Sequence, residues 1–134
     1  MTRKVECAEP DTSIREAARL MKARDIGSLP VCADRRVVGV ITDRDIVIRA
    51  VVRGIDLDTT PVHEIMSTDV VSVRENVYLG EAERVMREHQ LRRLPVLNEA
   101  GEIVGYLAMA RVARTEDPTE TGKVLRAVSQ AKSA

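Results

Sequence analysis

Leu29-Pro30-Val31, followed by Val38-Gly39-Val40-Ile41-Thr42-Asp43-Arg44-Asp45, is the stretch on which the fold turns, because most of it comes round again. Leu94-Pro95-Val96 repeats the first part 65 residues later, and Ala17, Arg19 and Met21 return at the same interval as Ala82, Arg84 and Met86. Past the next turn the interval grows to 66, Gly101 being extra, and Val38-Gly39 returns as Val104-Gly105. A duplicated unit of this size constrains fold, symmetry and site positions together. The copies part at one point. Thr42-Asp43-Arg44-Asp45 faces Ala108-Met109-Ala110-Arg111, so the second copy lacks polar groups that the first carries.

The 134 residues fit one compact domain or two small halves sharing a core. A half alone would bury only roughly 60% of its unfolded surface, so the halves are expected to need each other. Lys plus Arg and Asp plus Glu both number 21, and no run of like charge exceeds two residues. This argues against an electrostatically driven nucleic-acid-binding protein, which shows a basic stripe. With two Tyr and no Phe or Trp, base-stacking platforms are not expected either. Met1-Thr2-Arg3-Lys4-Val5-Glu6 leads into no apolar stretch, and runs such as Val37 to Ile41 are too short to cross a bilayer. The expectation is a soluble cytoplasmic protein with no membrane partner.

Each copy opens with a short β-rich stretch, Val5 to Ala8 and Val70 to Val73. Helical spacing follows in Ile14, Ala17, Ala18 and Met21, and in Leu79, Ala82, Val85 and Met86. Ser13-x-x-Glu16 reads as a capping box for the first helix, with Asn76 capping the second. Leu29 to Cys32 and Leu94 to Leu97 read as buried strands. They turn through Asp34-Arg35-Arg36 and Glu99-Ala100-Gly101-Glu102 into β-branched strands at Val37 to Ile41 and Ile103 to Leu107. A further helix is expected from about Asp43 to Arg53, stopping at Gly54. The fold class is therefore α+β, two β-α-β-β-α repeats packed with pseudo-two-fold symmetry. The expected division is residues 1–54 for repeat 1 and 55–66 for a linker with a short helix begun by Pro61. Residues 67–115 form repeat 2, and 116–134 a tail helix whose apolar face carries Val124, Leu125 and Val128.

In order and spacing these motifs resemble a tandem pair of CBS domains (a Bateman module), the cystathionine-β-synthase-type repeats that bind adenosine compounds. The match spans roughly Val5 to Val112 and is similar to the small stand-alone actinobacterial stress-associated type, which carries comparable Asp-Ile-Gly and Thr-Asp-Arg-Asp-Ile-Val-Ile segments. The resemblance implies a regulatory module rather than an enzyme, with no required cofactor, an adenosine nucleotide as regulatory ligand, a homodimer and an effector protein not identified by the sequence. Ile46, Val47, Val51, Val112 and the tail are its expected dimer contacts. One departure is that the first copy begins almost at its strand, without the short Met-ended helix that Val62 to Met66 supplies to the second.

Thr42 sits where a strand gives way to a helix, a position where unpaired N–H groups and the helix dipole favour an anion or a polyhydroxyl group. Ionised Asp45 only accepts and can take both hydroxyls of a ribose diol. The same Thr42-x-x-Asp45 spacing is also a capping box that needs no ligand. The resemblance places Asp45 on ribose and Thr42 near phosphate, with Val40 and Arg44 beside them, and draws Val77, Ala82, Leu91, Arg92 and Arg93 from the second copy. Val40, Val77 and Leu91 would sandwich the adenine, and Arg92 and Arg93 match phosphate oxygens. For an arginine pair ahead of a strand, an ordinary solvated surface is the alternative. The mirrored site would combine Ala108 and Arg111 with Thr12, Ala17, Ile26, Gly27 and Ser28, lacking both the carboxylate and the hydroxyl. One competent site at most is expected.

Cys7 and Cys32 fall on strands that the family fold sets side by side, so a disulfide or redox pair stands against two buried thiols in a reducing compartment. Their counterparts, Ser72 and Leu97, cannot pair. His63 and His89 have no Cys or His at ligand spacing, so no metal site is expected. The alternative to nucleotide binding is a ligand-independent homodimeric stress-response interaction protein, with Cys7 and Cys32 redox-sensitive.

Overall fold

The computed structural model describes residues 5–109. The chain divides into two compact units, Glu6–Val70 and the part from Val71 onward.

In the first unit, α1 (Ile14–Arg24) buries Ile14, Ala17 and Met21 of the expected apolar stripe, with Ala18 partly buried at its edge. Ser13 accepts from the Glu16 amide at 3.1 Å, half of the expected capping box. The two orphan amides before it are capped from a distance, Ile14 N–H by the Thr60 carbonyl and Arg15 N–H by that of Leu57. Asp25 stops the helix in the left-handed region at φ 54°.

Strands β1 (Ser28–Ala33) and β2 (Arg36–Thr42) form an antiparallel hairpin. Its two turn residues, Asp34 and Arg35, have φ of 50° and 66°. Paired left-handed residues match the strand twist, although glycine or asparagine is the usual occupant. A register shift between Val31 and Cys32 breaks the ladder. The expected strand at Val5 to Ala8 reduces to a single parallel bridge, Ala8 with Val31, before the chain turns at Pro10.

From Thr42 the chain runs through α2 (Asp43–Asp45) directly into a π-helix (Ile46–Val51), where an ordinary α-helix was expected. Val52 N–H reaches back to the Val47 carbonyl at 3.0 Å and Ile55 N–H to that of Ala50 at 3.0 Å, both five residues away. Ile46 and Ala50, four residues apart on one face, both enter the core. Ile46 therefore packs inside its own unit rather than at a dimer face, while Val47, Ile48, Val51 and Val52 are exposed. Gly54 ends the run at φ +70°.

The segment 55–66 folds back on the same unit. A 3-10 turn at Val62–Glu64 buries Val62, and Ile65 joins the core. Ser67 then pairs with Val40 across the outer edge of β2 by two 2.9 Å hydrogen bonds.

The second unit repeats the plan with β3 (Val73–Arg74), α3 (Leu79–Glu88), β4 (Arg93–Leu97) and β5 (Ile103–Ala108). Strand order is β3-β4-β5, parallel then antiparallel, with a register shift between Val96 and Leu97 matching that of the first unit. Asn76 does not cap α3. A turn closed by Val77 N–H on the Arg74 carbonyl encloses it, and Tyr78 takes the cap position without a side-chain capping bond. Leu79, Ala82, Met86, Leu94, Val96 and Leu107 form the core. Arg111, Val112 and the tail residues Val124, Leu125 and Val128 lie outside the described residues.

Candidate functional site

The end of β2 concentrates the polar chemistry of the first unit. Thr42 pairs with Ser28 across the hairpin and leaves the strand at ψ 162°, which turns its hydroxyl toward the helix start. Its Oγ1 accepts from the Asp45 amide at 3.0 Å, and Asp45 Oδ2 accepts from the Thr42 amide at 3.0 Å. The reciprocal capping box is thus fully made. Only 13% of the Asp45 side chain is exposed, and Arg49, one turn on, places Nε 3.8 Å from Oδ1. Arg49 also donates to the Ile65 carbonyl at 3.1 Å, tying this carboxylate to the folded-back segment. Asp43 N–H is held by the Gly27 carbonyl at 2.9 Å. A Cβ on Gly27 would lie 3.1 Å from an Asp43 carboxylate oxygen, so a small residue suits this approach. Val40 is half-buried beside the pair, and Arg44 points to solvent.

A carboxylate offers about four lone-pair directions, and the cap uses one. Asp45 is therefore a fixed, mostly enclosed acceptor with capacity left over, held in place by Thr42 and Arg49. The cap and a ligand role are compatible on this geometry.

The remaining expected residues fall in the second unit. Val77 and Leu91 pack against its core with part of their surface exposed, whereas Ala82 is wholly enclosed and offers no surface to a ligand. Arg92 is exposed, and its carbonyl accepts from Met109 N–H at 2.8 Å, reproducing the Gly27–Asp43 bond of the first unit. Arg93 lies over Tyr106, its guanidinium carbon 5.8 Å from the ring centroid. Ala108, opposite Arg93, takes the place of Thr42 and brings no hydroxyl. Of the expected residues, Thr42 and Asp45 are joined directly by hydrogen bonds.

Sequence reasoning missed Arg49. Its signal was the four-residue spacing from Asp45, which sets an ion pair on one helix face.

His63 Nε2 stands 4.0 Å from an Asp11 oxygen, and no group of three or more metal-capable side chains occurs among the described residues. No helix there is long and apolar enough to cross a membrane. The Cys7 and Cys32 sulfurs lie 3.2 Å apart.

Two repeated α+β units, each a helix on a small sheet, the last strand of the first ending at a capped helix start, define the class of tandem CBS-repeat modules. The profile of the CBS domain matches residues 1–51 and 62–116, and the chain belongs to that family. It is 38% identical over 130 residues to the CBS domain-containing protein YhcV of Bacillus subtilis, covering 96% of this chain and 91% of the relative. Among solved structures it resembles Hypoxic Response Protein I with two coordinated zinc ions (TM-score 0.78, 37% identity, 87% of this chain and 95% of that one). It also resembles a CBS domain protein from Pyrobaculum aerophilum complexed with AMP (TM-score 0.73, 26% identity, 95% and 94%).

Proposed function

We propose that this CBS pair is a regulatory module whose ligand is an adenosine nucleotide of the AMP, ADP or ATP class, recognised by Thr42 and Asp45. The observation that carries the reading is the Thr42–Asp45 pair at the end of β2, a fixed and largely enclosed carboxylate where the second unit offers Ala108. The AMP complex of the Pyrobaculum protein supports the ligand class. Asp45 takes the ribose hydroxyls and Thr42 lies toward the phosphate. The family pattern assigns adenine contact to Val40, Val77 and Leu91 and phosphate contact to Arg92 and Arg93. Arg44 sits at the margin of this set. The ligand regulates only to the extent that it binds one state of the module better than another.

Calorimetric titration with AMP, ADP, ATP, S-adenosylmethionine and NAD tests this directly. Asp45→Asn keeps an oxygen for the cap but loses the charge, and weakens nucleotide binding by about tenfold to a hundredfold, the range for a lost charge-assisted hydrogen bond. Equal affinity in Asp45→Asn and the unaltered chain removes the site, and no heat with any of the five removes the ligand class.

The exposed ridge of Val47, Ile48, Val51 and Val52 favours a second component, self-association into a homodimer. Sedimentation of Val47→Glu/Val51→Glu as a smaller species than the unaltered chain supports it, and identical sedimentation refutes it. Similarity to Hypoxic Response Protein I supports a stress-response role, exercised through an effector protein.

A further inference from the structure

The cysteines of the first unit meet in a way that nucleotide binding does not use. Cys32 lies near the end of β1, immediately after the register shift, and is buried to 8% exposure. Such a bulge re-aims the side chain that follows it. Cys7 comes from the segment ahead of α1, which is clamped to β1 by Ala8 N–H on the Pro30 carbonyl at 2.9 Å and Cys32 N–H on the Ala8 carbonyl at 2.8 Å. The clamp brings the sulfurs to 3.2 Å. A disulfide bond of about 2.05 Å therefore needs an approach of only about 1 Å, on a segment held by one bridge rather than a full strand. Cys7 is half-buried and gives a small reagent a way in. The second unit has the same bulge with Leu97 in place of Cys32 and Ser72 in place of Cys7, so the geometry is general and the chemistry is confined to the first unit.

We propose that Cys7 and Cys32 form a peroxide-oxidisable dithiol whose closure staples the segment ahead of α1 to β1. The ionised sulfur of the pair attacks the peroxide O–O bond, becoming a sulfenic acid as hydroxide leaves. The partner sulfur attacks the sulfenic sulfur, forming the S–S bond and releasing a second hydroxide. The two thiol protons convert both hydroxides to water, so two thiols and one hydrogen peroxide give one disulfide and two waters. Contact between the sulfurs prepares this sequence, since their hydrogen bond lowers the pKa of Cys32 while the same bond, together with burial, raises that of Cys7. The pair accordingly loses its first proton far more readily than its second.

The test treats the reduced full-length chain with one equivalent of hydrogen peroxide and measures intact mass, thiol titre after unfolding, and a peptide map. The expected result is a monomer lighter by about 2 Da, with no titratable thiols and a Cys7–Cys32 cross-linked peptide. Cys7→Ser gives instead a sulfenic acid at Cys32 that a dimedone probe captures. A monomer keeping both thiols after treatment overturns the proposal, as does a disulfide found only between chains. The thiol titre and mass need no nucleotide, so the result stands apart from that of the binding experiment.

Discussion

Gly39→Ala probes how the chain between the repeats is seated. A Cβ on Gly39 would lie 2.5 Å from Met66 Sδ, 2.9 Å from Met66 Cγ and 2.9 Å from the Ser67 carbonyl oxygen. Met66 can swing aside. The Ser67 carbonyl cannot move without straining its bond from Val40 N–H, one of two 2.9 Å bonds that make the bridge. Losing both costs about 2 kcal/mol at roughly 1 kcal/mol each, and displacing the half-buried Met66 adds about 1 kcal/mol of apolar contact. The expected destabilisation is about 3 kcal/mol, or a fall in Tm of about 12 °C at roughly 4 °C per kcal/mol. Urea unfolding gives the free energy, and hydrogen exchange at the Val40 and Ser67 amides locates the loss. The double variant Gly39→Ala/Met66→Ala separates the two clashes, because a penalty set by the carbonyl survives removal of the thioether. Gly39→Ala within about 0.5 kcal/mol of the unaltered chain, with both amides still protected, would refute the reasoning.

Four further outcomes follow from named contacts. Thr42→Val removes the cap acceptor for Asp45 N–H and costs about 1 kcal/mol in urea unfolding. Arg49→Met keeps the stem but frees Asp45 from its ion pair; nucleotide affinity falls by severalfold while stability changes by less than about 1 kcal/mol, read by calorimetry and urea unfolding together. Oxidation of Cys7 and Cys32 closes a loop spanning 25 residues and raises stability by about 3 kcal/mol, seen as a rise in Tm that dithiothreitol reverses. The Asp56 carboxylate is held below the usual range by the Asp58 and Thr59 amides, so its contribution is present above the unfolded carboxylate value near pH 4 and disappears as pH falls through the lower folded value; Asp56→Ala flattens this acid limb of stability.

The repeat made most of the fold legible. Strand pairs and helix stripes follow from periodicity, and Leu29, Leu94, Ala17 and Ala82 all reach full burial as their spacing implies. The π-winding of Ile46–Val51 was not legible, since Ile46, Val47, Ile48, Val51 and Val52 surround the helix with apolar groups and no single face stands out. Which of them turn inward is decided by the core, where Ile46 and Ala50 are both enclosed. Asn76 was misread for a related reason. Cap preference is local, and the chain spends that position on a turn before Tyr78. At the candidate site Thr42 and Asp45 were visible as a motif, whereas Ala82 was named for its place in the family pattern and is committed to packing.

The segment that follows Gly54 alters what counts as one copy. Leu57 and Thr60 complete the start of α1, and Ser67 completes the edge of β2, so the first unit is finished by residues that precede the second copy's opening strand. The folding unit, residues 6–70, therefore spans the whole 65-residue interval of the repeat and takes in the segment that follows the recognisable motifs. A fragment cut after Gly54, where the recognisable motifs of the first copy end, would lose the acceptors of two helix amides and the bridge on the edge of β2, whereas one cut after Val70 would keep them. The stretch that reads as a linker is thus a working part of the first fold, and a boundary drawn at Gly54 would divide one body.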